Sequence, residues 1–243
     1  MNNSIFIISF FRGRTNHYLA KLVEQLEIFN IPIAVIVNDP SAQNLELTNH
    51  NNHYFLRRPN TGMNIGAWDE GWRYFYGYEN YFFFQDECFI KKNDFLERYI
   101  EFLSIRDLGM VGENINPKWD MDWNELLKIK IFNKKIIVND NEENQVEYYL
   151  KKINEWGINA GKSARHLRSL NWALNFKTLE LINGFPIGLN KYECIASEIS
   201  VSKKVEEKKL NIIQSSKDHF SYIGHKEWPS NGISKYKKIH SKK

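Results

Sequence analysis

Three successive stretches near the N-terminus constrain what this chain can fold into. Ile5 to Phe10 is an uninterrupted apolar run rich in β-branched and aromatic residues, the pattern of a strand buried on both faces. A polar turn follows at Arg12-Gly13-Arg14-Thr15. Leu19, Leu22, Val23, Leu26 and Phe29 then recur at helical spacing, and Ile31 to Val37 is a second buried strand ending in Asn38-Asp39-Pro40-Ser41. Strand, helix, strand in that order implies a right-handed crossover and parallel pairing.

The alternation continues. His53 to Leu56 predicts a third strand, leading through Arg57-Arg58-Pro59-Asn60-Thr61-Gly62-Met63-Asn64 into a helix over about Ile65 to Tyr76. Tyr81 to Phe84 predicts a fourth buried strand, with Gln85-Asp86-Glu87 at its C-terminal end. Asn93 is placed to cap a helix carrying Phe95, Leu96, Tyr99, Ile100 and Leu103. Leu108 to Val111, Leu170 to Phe176 and Leu210 to Ile213 read as further strands. Helices are expected near Trp123–Ile129, Glu143–Ile153, Lys177–Ile182 and Tyr192–Glu207. Between Asn114 and about Ala164 the pattern loosens, with Trp119, Trp123 and Trp156 among polar residues. In an open α/β sheet, ligands bind beyond the carboxyl ends of the parallel strands. The polar clusters after Val37, Leu56 and Phe84 all fall on that edge.

Composition narrows the class of protein. With 243 residues, 42% hydrophobic and 26% charged, the chain can bury a large core and is not disordered. A net charge of +4 is too mild to argue nucleic-acid binding. Much of the excess lies in Lys235, Lys237, Lys238, Lys242 and Lys243, a solvated basic tail suited to weak contact with an anionic membrane surface. Cys88 and Cys194 give neither a disulfide framework nor zinc spacing, so reduced thiols are expected. No stretch approaches the roughly 20 apolar residues a spanning helix needs. A cytoplasmic protein is expected, peripheral at most at the inner face of the membrane.

Three motifs and a downstream helix carry the chemistry. Asp86 and Glu87 stand side by side after a buried strand, where they repel each other; a hard divalent cation removes the conflict and keeps positions open for phosphate oxygens. In Asn60-Thr61-Gly62-Met63-Asn64-Ile65-Gly66-Ala67 the two glycines permit close backbone approach, and Asn64 can hydrogen-bond a base or ribose. Asp39 can accept from a base N–H or serve an ordinary Asx turn. Downstream, Asn183-Gly184-Phe185-Pro186 precedes a helix carrying the carboxylates Glu193 and Glu198. His219 and His225 follow.

In these motifs and their order, the chain resembles the family-2-like GT-A glycosyltransferases. There a strand ends in an Asp-x-Asp motif that holds the metal on a sugar-nucleotide diphosphate; here Gln85-Asp86-Glu87 stands in that place. The resemblance implies an α/β fold of the GT-A (nucleotide-diphospho-sugar transferase) type, with a mostly parallel central sheet flanked by helices, over residues 1–225, and a basic tail over 226–243. It implies a nucleotide site at Phe10, Arg12, Asp39, Arg58, Asn60, Gly62, Asn64, Gly66 and Gln85. It implies Mn²⁺ or Mg²⁺ at Asp86, Glu87 and His225, and a general base at Glu198 with Glu193 as competitor. Trp172 is expected at the acceptor. The implied reaction is inverting transfer from a UDP-, dTDP- or GDP-linked sugar to a glycan or lipid-linked acceptor, as in polysaccharide biosynthesis. Two alternatives stay open: a sugar nucleotidyltransferase, against which the single glycine of Phe11-Arg12-Gly13-Arg14 argues, and a non-catalytic binding module on the same fold.

Overall fold

The computed structural model describes residues 3–228 of the chain. The first half runs β1 (Ser4–Phe11), α1 (His17–Glu27), β2 (Ile33–Asp39), β3 (Glu46–His50), β4 (His53–Pro59), α2 (Met63–Tyr74), β5 (Asn80–Gln85), β6 (Cys88–Ile90), α3 (Phe95–Leu103) and β7 (Leu108–Gly112). The second half runs α4 (Trp123–Lys128), β8 (Lys135–Val138), β9 (Asn141–Asn144), α5 (Gln145–Glu155), β10 (Asn171–Asn175), α6 (Phe176–Leu181), α7 (Lys191–Glu207), β11 (Asn211–Gln214) and β12 (Ile223–His225).

Eight strands form one sheet in the order β11-β7-β10-β5-β1-β2-β4-β3. β1 pairs in parallel with β2 and β5, β2 with β4, and β7 with β11; only β10 and the edge strand β3 run the other way. The uninterrupted apolar strands follow from helices covering both faces. Ile5 and Ile7 belong to one buried layer, with Trp68 and Trp72 of α2 and Val201 of α7. Phe6 and Ile8 belong to the other, with Leu22 of α1 and Phe95 and Tyr99 of α3. A third cluster lies beside the sheet, where Trp119, Trp123, Leu126, Val146 and Tyr149 pack against Ala196 and Ile199 of α7. Among the described residues no helix is long and apolar enough to cross a membrane. The tail lysines lie outside the described residues.

The differences from the sequence expectations have local causes. All five residues of β3 are exposed, so it shows no apolar period. Asp94, not Asn93, stands at the N-cap of α3, and its side chain bonds no helix N–H. The segment from Asn141 to Asn144 pairs with β8 as a hairpin, so the helix expected from Glu143 begins at Gln145.

Candidate active site

The C-terminal ends of β1, β2 and β5 converge on a cavity of about 380 Å³ lined by Ser9, Phe10, Arg14, Asn38, Asn60 and Asp86, among others. A second cavity of about 500 Å³ adjoins it, with Met63, Asn64 and Gln85 common to both. Glu198, Arg168, Trp119, Lys118, Lys191 and Trp228 line this second space.

The loop between β4 and α2 is fixed by its backbone. Gly62 adopts φ +75° as the N-cap of α2. At Gly66 an added Cβ would lie 2.0 Å from the Thr61 carbonyl oxygen, so the loop can fold back on the helix only without a side chain there. Gly66 thus shapes the loop. Arg58 is buried, and its guanidinium donates to Asn38 Oδ1 at 2.6 Å and to the Thr61 carbonyl at 3.0 Å, bracing the loop against β2.

Asp39 is held by its neighbours. One of its oxygens accepts from Arg12 and Arg57, the other from Ser41 N and Oγ at 2.8 and 2.7 Å. The hydrogen bond from Arg12, then those from Arg57 and Ser41, hold the carboxyl far below the usual carboxylate range. A carboxylate so engaged orients Arg12 and Arg57. Neither Asp39 nor Arg12 lines the cavity.

Ser169 joins the two spaces. Its carbonyl accepts from Gln85 Nε2 at 2.6 Å and Asn64 Nδ2 at 2.7 Å, while its N–H and Oγ–H donate to Glu198 Oε2 at 2.7 and 2.5 Å. His166 Nε2 lies 3.2 Å from the other oxygen of Glu198. Burial opposes ionisation of Glu198, but the contacts with His166 and Ser169 outweigh it and lower its pKa from the ordinary 4.5. Glu193 faces elsewhere: it accepts from Tyr148 Oη and Leu189 N–H and lies 3.4 Å from Lys152, beside α5.

Asp86 lines the first cavity and Glu87 follows it in the chain, their side chains only 8% and 11% exposed. Burial pushes Asp86 up to about 6, against the pull of Arg14. Their hard oxygens suit Mg²⁺ or Mn²⁺ that keeps water and phosphate ligands. Among the described residues no group of three His, Cys, Asp or Glu side chains could hold an ion unaided. His225 adds no lone pair as placed. Its Nδ1 accepts from Glu227 N–H, which leaves the proton of the neutral ring on Nε2, 3.2 Å from Gln85 Oε1. Burial, and then Arg14, push its pKa down to about 3.

Trp172, expected at the acceptor, lies in the core. It is 1% exposed in β10, with its ring centroid 5.0 Å from that of Trp68 and 5.7 Å from that of Phe185. Of the middle-segment tryptophans, Trp119 lines the second cavity, whereas the Trp123 indole is buried and donates to the Ala160 carbonyl. Arg14, His166, Arg168 and Ser169 were not anticipated. Arg14 lies in the polar turn after the first strand and the other three in the short stretch before the strand from Leu170, and only folding brings them to the site.

Comparison with solved structures defines the fold. A mannosyltransferase from Pyrobaculum calidifontis, solved with GDP-Man and Mn²⁺, superposes with a TM-score of 0.52 at 12% identity, over 87% of this chain and 54% of that one. The chain has the GT-A fold. TarS of S. aureus, solved with UDP-GlcNAc, aligns at 11% identity over 90% of this chain and 57% of its own, with a TM-score of 0.47. The chain thus spans little more than half the length of either structure. No family model and no curated protein matches the sequence. In this GT-A chain the first cavity lies at the carboxyl edge of the parallel strands, where open α/β sheets take their ligands.

Proposed function

We propose that this chain transfers a sugar from a nucleotide diphosphate to an acceptor hydroxyl, with inversion at the anomeric carbon. The observation that carries the reading is the pair of adjoining cavities, with Asp86 lining one and Glu198 the other, and with Asn64 and Gln85 common to both. A nucleotide sugar fits the first with its diphosphate toward Asp86 and Glu87; an acceptor fits the second. In-line inversion requires a base on the side opposite the departing diphosphate, and Glu198 occupies that cavity as an ionised carboxylate.

The residues divide the work. Phe10, Asn38, Asn60 and Asn64 form the nucleotide wall. Ser169 donates twice to Oε2 of Glu198, which leaves Oε1, the oxygen facing His166, for the acceptor hydroxyl. Trp119 and Trp228 offer apolar faces for a glycan or lipid-linked acceptor. Asp86 and Glu87 would hold a divalent cation, whose charge would neutralise the leaving diphosphate.

Thermal unfolding with UDP-, dTDP- and GDP-sugars, with and without Mn²⁺, tests the donor site. Ligand held by the native state at about 100 times its Kd adds about 2.7 kcal/mol. One nucleotide class is expected to raise the midpoint in a metal-dependent way, and Asp86→Ala to abolish the metal dependence. No shift with any nucleotide at millimolar concentration would sink the assignment.

A further inference from the structure

The carboxylate pair already faces a cation. Arg14, in the turn after β1, places Nη1 3.2 Å from Glu87 Oε2 and 3.8 Å from Asp86 Oδ1. His225 is held neutral, and the Lys226 ammonium sits 3.8 Å from the ring centroid of Tyr18. Two desolvated carboxylates share one guanidinium, which reaches them through a single nitrogen rather than a bidentate fork. Its side chain is 49% exposed, so the pairing is weak and displaceable. Arg14 also lines the donor cavity beside Asp86.

From this geometry we infer that Arg14 is a two-position cation, resting on Asp86 and Glu87 when the donor site is empty and turning to the donor diphosphate when it is filled. The inference rests on reading this edge as the donor site. A divalent ion and the guanidinium need the same carboxylate oxygens and repel each other, so the ion displaces Arg14. The freed side chain has the cavity beside it, where its planar donors match phosphate oxygens. The coupling is reciprocal: a diphosphate that draws Arg14 away uncovers the carboxylates for the ion. Arg14 therefore weakens ion binding to the empty protein and strengthens ion binding to the nucleotide complex. A residue that merely decorated the surface would do neither.

Arg14→Met keeps the aliphatic stem and removes the charge; Arg14→Lys keeps the charge. Circular dichroism checks that both fold. Calorimetric titration of each with Mn²⁺ alone, with UDP or GDP in EDTA, and with nucleotide at saturating Mn²⁺ gives three readouts independent of turnover. In Arg14→Met, affinity for Mn²⁺ alone is expected to rise about tenfold, within the usual range for coupled sites. Nucleotide affinity in EDTA should fall by a similar factor, and the enhancement of nucleotide binding by Mn²⁺ should shrink, with Arg14→Lys intermediate. If the wild type binds Mn²⁺ and nucleotide but Arg14→Met binds Mn²⁺ no more tightly, the two-position role fails and the donor site stands. If the wild type binds neither nucleotide, in EDTA or with Mn²⁺, the donor-site reading fails and this role with it.

Discussion

At the scale of single residues, Glu198 carries the most testable chemistry. Ser169 and His166 make it an ionised, oriented carboxylate, at the expense of base strength. Glu198→Gln removes the proton acceptor but lies outside the donor cavity. Transfer should fall about 10²- to 10⁴-fold while nucleotide affinity stays within twofold or so. The same change places an amide against donors that need an acceptor, a cost of about 1–3 kcal/mol at neutral pH. The pH dependence follows from the lowered pKa. The stability gained from the Glu198 contacts is fully present above 4.5 and is lost as pH falls through the lower folded value. Urea unfolding should therefore show the gap between wild type and variant closing below about pH 4.5. A gap that stays constant into acid would mean that the carboxylate charge contributes nothing.

At the scale of elements, β10 shows where the sequence was legible and where it was not. Its apolar run marked a strand, but a run does not state direction, and Leu170 to Phe176 gave no sign of lying antiparallel between two parallel neighbours. Nor does a run tell which Trp faces a ligand: Trp172 lies in the layer shared with Trp68 and Phe185. Its buried indole N–H has no partner, so Trp172→Phe removes an orphan donor along with some volume. The two effects oppose, and the net change should stay under about 1.5 kcal/mol. Trp172→Ala leaves a cavity and should cost about 3–5 kcal/mol. Calorimetry separates the two, and neither should alter acceptor affinity in the fraction that folds. The parallel core strands, α2 and the carboxylate edge were readable because each is set by local pattern. The occupancy of Asp39, the Ser169 bridge and Arg14 were not, since each depends on side chains that only the folded topology brings together.

At the scale of the molecule, the two cavities belong to parts with different cores. The donor side is built from strand ends and the first turn of α2, anchored in the central layers. The acceptor side borrows Asn116, Lys118, Trp119 and Gln145 from the segment whose own cluster packs on α7. Segments with separate cores open with separate free energies, so ligands should protect them separately. In hydrogen exchange, a nucleotide diphosphate with Mn²⁺ should slow residues 58–87 and leave 116–149 almost unchanged. A glycan acceptor added to that complex should then slow 116–149. Ser169 touches both sides, and residues 166–170 should respond to either ligand. If nucleotide alone protected both parts equally, the cavities would form one site and the division into donor and acceptor spaces would be wrong. If acceptor protected residues 116–149 without nucleotide, the two spaces would fill independently, and Ser169 would join them in structure without coupling them in binding.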